Sequence, residues 1–355
     1  MANDRYIRHQ QLKDFGSEGQ AKLTQASVLV VGLGGLGLPV VQYLNAMGVG
    51  TLGLVEQDLV EKHNLQRQVL YSENDVGKPK LEVALDKLAG QNTTTDLVPF
   101  DTFLTKHNAL QIIEGFDVVV DATDNFATRY LINDVCVMLH KPFVYGALHG
   151  FEGQVSVFNH KEGPTYRCLF PKMPRADEVP NCDENGVLGV LPGIIGTLQA
   201  LETVKVITGI GEVLAGKLLV YEGLTQTVQK IRFAVNPENK KINELQASYG
   251  IAYCESTLSL SAKEFAERLK TKKLQVIDVR NPDEYNDYHL DGAKNIPLHE
   301  LPTRIHEINF GATVYLICQS GKRSAAALEI VRKEKPKASI LHILGGMDKT
   351  APLCL

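Results

Sequence analysis

The chain has 355 residues, more than the roughly 250–300 that one hydrophobic core usually reaches, so two domains are expected. Its apolar fraction of 44% and charged fraction of 22% are those of a globular protein, and a net charge of −4 without any Lys/Arg block argues against nucleic acid as a partner. The stretch Met1 to Gln10 lacks the apolar core of a secretion signal, and no apolar run approaches the ~20 residues that cross a bilayer, so a soluble, cytoplasmic protein without a membrane partner is expected.

From Ser27 the chain alternates strand-like and helix-like segments. Ser27–Leu33 is a continuous apolar run suited to a strand buried on both faces. A glycine-rich turn and a helical stretch through Met47 follow, then a strand over Thr51–Asp58, an amphipathic helix over Val76–Leu88 and a strand over Asp96–Phe103. Asp117–Asp121 reads as another buried strand and Asn125–Leu139 as a helix; Pro142–Asn159 reads as two strands. Lys161–Pro192, rich in Pro, Gly, Asn and charge, reads as a long functional loop, Gly193–Thr208 as a helix and Lys217–Phe233 as strand.

This rhythm implies an α/β protein whose first domain, residues 1–240, is Rossmann-like, with a mostly parallel sheet covered by helices. A polar linker is expected over 241–257 and a smaller α/β domain over 258–355. There Ser261 caps a helix over Ala262–Leu269 with Glu264 as its capping-box partner. Leu274–Asp278 and Thr313–Cys318 read as buried strands and Ser324–Val331 as a helix.

The chemistry begins at Gly32-Leu-Gly34-Gly35-Leu-Gly37, which satisfies G-x-G-x-x-G between a strand and a helix. Glycines let the backbone approach a phosphate, and the free N–H groups at the helix start attract negative charge. Glu56, ending the next strand, is placed to accept from ribose hydroxyls, with Asp58 beside it. Taken alone, this pattern suits an NAD(P)-dependent dehydrogenase equally well. Asn64-Leu-Gln-Arg67-Gln68 and Lys80 separate the two readings. A triphosphate under cleavage needs such cations because charge builds on the leaving pyrophosphate, whereas a redox dinucleotide has little use for them. Asp124 and Asn125, in Asp121-Ala-Thr-Asp-Asn125, stand at the C-terminal end of a buried strand, where Asp124 can hold Mg²⁺.

Six cysteines, at 136, 168, 182, 254, 318 and 354, form no C-x-x-C pair, so neither a disulfide framework nor a zinc ribbon is signalled. Cys182 lies in the acidic, Pro-containing loop, where Asp183 and Glu184 oppose thiolate formation. Cys318 opens a six-residue loop, Cys318-Gln-Ser-Gly-Lys322-Arg323, that closes onto a helix start. Such a loop aims several N–H groups at one point and cradles a sulfur anion, to which Lys322 and Arg323 add positive charge.

GLGGLG, NLQRQ, VGKPK, DATDN and the Cys182–Gly196 segment CDENGVLGVLPGIIG jointly resemble the ThiF/MoeB branch of the ubiquitin-activating superfamily, over roughly residues 4–235. The resemblance implies ATP- and Mg²⁺-dependent adenylylation of a ubiquitin-like sulfur carrier that ends in Gly-Gly. Position by position it implies Gly35 at the phosphates and Glu56, where the family usually has Asp, at the ribose. Asn64, Arg67 and Lys80 then contact phosphate and acyl phosphate, and Asp124 holds the metal. Arg8 matches an arginine that reaches into the partner subunit's site, so a homodimer is implied, and Cys182 aligns with a cysteine that relatives use for a covalent link to the activated carrier. Relatives often carry a structural zinc on two C-x-x-C pairs. Here Thr165 holds the first position of Thr165-Tyr-Arg-Cys168 and no cysteine follows Asn236-Pro237 nearby, so no zinc is expected.

The Cys318 loop resembles that of a rhodanese sulfurtransferase. Asp278-Val-Arg280, Glu284-Tyr285, His289, Gly292-Ala293 and Asn295-Ile-Pro297 fit that family's spacing across residues 259–350, and a related phosphatase needs a loop one residue longer. The two modules together resemble fused adenylyltransferase–sulfurtransferases. The pairing implies a carrier thiocarboxylate made with sulfur from thiosulfate or a cysteine desulfurase, for molybdopterin (molybdenum cofactor) synthesis first and thiamine synthesis or tRNA thiolation as alternatives. A different class of reading is a non-catalytic scaffold that docks sulfur donors.

Overall fold

The computed structural model describes residues 4–174, 186–246, 249, 259–319, 321–335 and 338–354. It divides into two compact units, Met1–Gly250 and Ile251–Leu355.

The first unit is built on eight strands: β1 (Ser27–Val31), β2 (Thr51–Val55), β3 (Asp96–Phe100), β4 (Val118–Asp121), β5 (Phe143–His149), β6 (Glu152–Phe158), β7 (Lys217–Glu222) and β8 (Thr227–Arg232). Their order is β3-β2-β1-β4-β5-β6-β7-β8. The first five run parallel and the last three antiparallel. Strand order reverses between β1 and β4, and in such sheets ligands bind beyond the carboxyl ends of the strands at that point.

The apolar run Ser27–Val31 forms a strand because both its faces are covered. Val28 and Val30 join Leu38, Val41, Leu44 and Ile195 in one core layer, while Leu29 and Val31 join Ile113, Tyr130 and Leu131 in the other. Each such side chain contributes about 1.5–3 kcal/mol by leaving water, which locks the register of the strand that leads into the glycine turn.

The helix expected from Val76 begins four residues later, as Lys80–Gln91. Gly77 takes a left-handed φ of 87° and Pro79 sits at the N-cap, so the backbone cannot be helical before Lys80. In the acidic loop Tyr166–Leu169 forms a helical turn, and Cys182 lies outside the described residues. The expected linker starts on chain that belongs to the first unit. Leu245 and Tyr249 pack on its core, and the Tyr249 hydroxyl donates to Asp134 Oδ2 at 2.9 Å.

The second unit holds β9 (Ser259–Ser261), β10 (Gln275–Asp278), β11 (Lys294–Asn295), β12 (Val314–Ile317) and β13 (Ile340–Leu344), all parallel, in the order β11-β10-β12-β13-β9. Ser261 and Glu264 form the expected capping box on the helix Ala262–Thr271: Ser261 Oγ accepts the Glu264 N–H at 3.2 Å and Glu264 Oε2 accepts the Ser261 N–H at 3.2 Å. Among the described residues no helix is long and apolar enough to cross a membrane.

Candidate functional site

Two turns meet at the strand-order reversal of the first unit. The turn after β1 bends at Gly32, whose φ of 94° is left-handed and where a Cβ would lie 3.0 Å from the Ala122 carbonyl oxygen. Gly37 opens the helix Gly37–Ala46, and a Cβ there would come within 1.9 Å of the Gly32 carbonyl oxygen. Gly35 faces Pro192 at a hypothetical Cβ distance of 2.9 Å, with Arg67 Cγ at 3.5 Å, whereas beside Gly34 the nearest atom is Gln68 Nε2 at 3.7 Å. The turn therefore keeps half-buried backbone bare of side chains at Gly34 and Gly35, where a phosphate would approach, with Arg67 lying over it.

Glu56 shapes this turn. Its Oε2 accepts the Leu33 N–H at 2.9 Å, and its Oε1 accepts the N–H groups of Gln57 at 2.8 Å and Asp58 at 2.9 Å. A carboxylate has about four acceptor positions, so a fourth donor can still be taken. Sequence reasoning gave Glu56 a ribose contact and missed this brace. It also missed Tyr71, whose buried hydroxyl donates to the carbonyls of Leu33 at 3.0 Å and Lys80 at 3.4 Å.

Lys80 is buried, and its Nζ lies 3.5 Å from Asp58 Oδ2, while its N–H donates to the Asp58 carbonyl at 2.9 Å. Asn64 is buried and accepts the Glu61 N–H at 3.2 Å through Oδ1; Arg67 donates to the His63 carbonyl at 3.1 Å. Gln68 is buried beside the turn, and its Oε1 has no hydrogen-bond partner among the described residues. An unsatisfied buried acceptor costs about 1–3 kcal/mol. It fits a site completed by a ligand that brings donors, as a nucleotide does, and the half-buried glycine backbone and nearby cations fit that ligand's phosphates.

The turn after β4 carries Asp124 and Asn125, both exposed. Asn125 caps the helix Phe126–Met138 by accepting the Thr128 N–H at 2.9 Å. Asp121 below it is fully buried. Its Oδ1 accepts the Thr123 N–H at 3.0 Å and the Thr123 hydroxyl at 2.6 Å. Burial pushes the Asp121 carboxyl above its ordinary value, and Arg129 and Thr123 pull against that shift. Asp124 offers the hard oxygen that Mg²⁺ takes. Arg8 is not part of this cluster; it is exposed on the short helix Ile7–Gln10.

Around Cys168 the structure gathers Thr165, Asn236 and Asn239. Sγ accepts from the N–H groups of Thr165 at 3.4 Å and Asn236 at 3.3 Å and from Asn239 Nδ2 at 3.7 Å. Zinc favours four thiolate or imidazole ligands, and one thiol among a hydroxyl and two carboxamides does not fit it. Among the described residues no group of three or more His, Cys, Asp or Glu could hold a metal.

In the second unit Cys318 follows β12 and is buried. Its Sγ accepts the N–H groups of Gly321 at 3.1 Å and Ser324 at 3.2 Å, at the start of the helix Lys322–Glu334. Gly321, with φ 92°, makes that approach possible. Arg323 forms two 2.6 Å bonds to Glu284, so the positive charge expected from it is shared with a carboxylate; the side chain of Lys322 is outside the described set. Arg280 pairs with Asp278 and donates to Gln319 Oε1 at 3.0 Å. The N–H groups of Met347 and Asp348 hold the carbonyls of Cys318 at 2.8 Å and Gln319 at 3.0 Å. Arg280 belongs to the Asp278-Val-Arg280 pattern read from the sequence, whereas the part that Met347 and Asp348 play in this frame was invisible there.

Residues 6–243 match the ThiF family model and residues 261–351 the rhodanese-like domain model. The chain is 40% identical over 370 residues to the adenylyltransferase and sulfurtransferase MOCS3 of Drosophila sechellia, across 97% of this chain and 82% of that protein. It is 52% identical over 239 residues to the sulfur carrier protein adenylyltransferase of Thermus thermophilus, across 66% of this chain and 88% of that one. The solved structure of Escherichia coli MccB with MccA-N7isoASN shares the fold, with a TM-score of 0.60 at 24% identity over 67% of this chain and 73% of that chain.

Proposed function

The chain belongs to the ThiF family and carries a rhodanese-like domain behind it, and from that premise we propose that it adenylylates a ubiquitin-like sulfur carrier and converts the adenylate to a thiocarboxylate for molybdenum cofactor synthesis. The observation that carries the reading is the meeting of the glycine turn and the Asp124 turn at one sheet crevice, with Arg67 and Lys80 beside them.

The carrier's terminal glycine carboxylate attacks the α-phosphorus of ATP, and the bond to pyrophosphate breaks. The backbone of Gly34 and Gly35 lies along the phosphates, with Asn64 and Gln68 donating from beneath, and Glu56 takes the ribose with its remaining acceptor position. Arg67 and Lys80 neutralise charge where it grows on the leaving group, the kind of preorganised stabilisation worth about 10²–10³ in rate per donor. Mg²⁺ on Asp124 would supply Lewis-acid charge at the phosphates.

Cys318 bears the persulfide. Its two N–H donors and the helix start hold negative charge on sulfur, Arg280 and Gln319 keep the loop in shape, and Arg323 with Glu284 closes one flank. The terminal sulfur attacks the acyl carbon, AMP departs with the electrons of the broken C–O bond, and a thiol reductant cleaves the S–S bond to free the thiocarboxylate. Cys182 is assigned a covalent hold on the carrier. The sulfur donor is thiosulfate or a cysteine desulfurase, the enzyme is a cytoplasmic homodimer in which Arg8 serves the partner's site, and it works without zinc.

The test is carrier-dependent ATP–pyrophosphate exchange with Gly-Gly-terminated carriers of molybdopterin synthesis, thiazole synthesis and tRNA thiolation, followed by mass spectrometry of the carrier. Exchange with none of them removes the adenylyltransferase assignment, and preference for a carrier outside molybdopterin synthesis moves the pathway.

A further inference from the structure

Arg129 lies directly under the Asp124 turn and has no part in the reading above. It is 8% exposed, its guanidinium sits 5.3 Å from the Tyr145 ring centroid and 5.7 Å from that of Phe126, and its NH2 donates to the Thr123 carbonyl at 2.8 Å. Its Nε faces Asp121 Oδ2 at 3.9 Å, and neither atom has a hydrogen-bond partner among the described residues. Asp121 in turn holds Thr123 by its N–H and its hydroxyl. Thr123 is thus gripped from both peptide sides, its N–H by the acid and its carbonyl by the base, one residue before Asp124. The upper side of the same turn touches the phosphate turn, because a Cβ on Gly32 would meet the Ala122 carbonyl at 3.0 Å and Thr123 N at 3.7 Å.

A buried guanidinium in this setting is an expensive way to fill space. An apolar side chain would pack against Tyr145 and Phe126 without needing a counter-charge. What the guanidinium adds is a fixed donor at the Thr123 carbonyl and a positive charge facing the Asp121 carboxyl.

We propose that Arg129 is a positioning residue for the nucleotide-bound metal ion: through Thr123 and Asp121 it fixes the place of the Asp124 carboxylate relative to the glycine turn. The inference rests on Asp124 as the metal-binding acid. Residues that orient a metal ligand from behind typically change metal affinity by about 10- to 100-fold when altered.

The test uses the full chain and two equilibrium titrations, ATP in EDTA and Mn²⁺ in the presence of ATP, for wild type, Arg129→Lys, Arg129→Met and Asp124→Asn. Arg129→Lys keeps the charge but lacks the planar fork that bonds the Thr123 carbonyl while facing Asp121; it carries the test if Arg129→Met does not fold. The expected result is Mn²⁺ affinity about 10-fold weaker in Arg129→Lys and further weakened in Arg129→Met, with metal-free ATP affinity near that of wild type. In exchange assays the half-saturating Mg²⁺ should rise while the rate at saturating Mg²⁺ largely recovers. Wild-type Mn²⁺ affinity in a folded Arg129 variant, or equal loss of metal-free ATP and Mn²⁺ binding, overturns the positioning role. Wild-type Mn²⁺ affinity in Asp124→Asn instead removes the metal assignment on which it rests.

Discussion

The hydroxyl of Tyr71 donates to the Leu33 carbonyl at 3.0 Å, and Glu56 accepts the N–H of that same residue at 2.9 Å. Leu33 is the second residue of the glycine turn, so both halves of one peptide neighbourhood are pinned from below. Tyr71 also reaches the Lys80 carbonyl, which ties the phosphate turn to the helix that carries the buried lysine.

Tyr71→Phe keeps the ring and deletes only the shared donor. It is expected to lower stability by about 1–2 kcal/mol and to raise the KM for ATP several-fold more than it lowers kcat. Burial, and then Glu56 and Asp58, push the phenol well above its ordinary value, so the donor persists through neutral and mildly alkaline pH. The deficit of the variant should accordingly be flat from pH 6 to 9. Urea titration and exchange kinetics check it, and an unchanged KM would show that the tie is dispensable.

Arg67→Ala and Asp124→Ala should each abolish carrier-dependent exchange, by at least about 10²-fold, while far-UV circular dichroism stays that of wild type. Both side chains sit at the crevice rather than in a core layer, so the fold does not depend on them. Near-wild-type exchange in either variant would remove that residue from the ATP site.

Cys318→Ala should eliminate persulfide formation from thiosulfate or a desulfurase and leave exchange untouched, because the two N–H donors to sulfur belong to the second unit and the glycine turn to the first. Cys182→Ala should also spare exchange but slow thiocarboxylate release. Full thiocarboxylate yield from Cys318→Ala, with no sulfide added, would mean that sulfur comes from elsewhere.

Cys168 should alkylate at lower pH than an ordinary thiol. Its partial burial raises the pKa, but hydrogen bonds from Thr165, Asn236 and Asn239 outweigh this, and the net direction is down. Cys136 shifts the other way, pushed up by complete burial. Peptide mapping after brief iodoacetamide treatment at neutral pH should find Cys168 modified well before Cys136. The same four residues lead us to expect less than stoichiometric zinc in the purified protein; one tightly held zinc per chain would require ligands other than these.

What could be read from the chain in advance was what local pattern decides. The apolar run of β1, the glycine fingerprint after it and the Ser261–Glu264 capping box are each written within a few consecutive residues. The start of the Lys80 helix was misjudged because apolar periodicity ran on through Val76, while Gly77 and Pro79 set the backbone. Tyr249 was lost among polar neighbours because its partner, Asp134, lies 115 positions away. Arg129 stands out in no local pattern, since only the fold brings the Thr123 carbonyl to it. Glu284, likewise, does not announce in sequence that it will take up the charge of Arg323.

The grip of Met347 and Asp348 on the carbonyls of Cys318 and Gln319 also bears on how the protein is made. Strand β13 lies between β9 and β12, so the sheet of the second unit cannot close until residues near 344 have left the ribosome. At about 5–20 residues per second, the second unit trails the first by roughly 5–20 s. During that interval the nascent chain already holds every residue of the first unit's crevice, whereas the Cys318 loop still lacks the helix Gly346–Cys354 that frames it. The first unit therefore matures before the second, and a chain that stalls short of Gly346 is left with a complete first unit and a second unit whose cysteine loop has no frame.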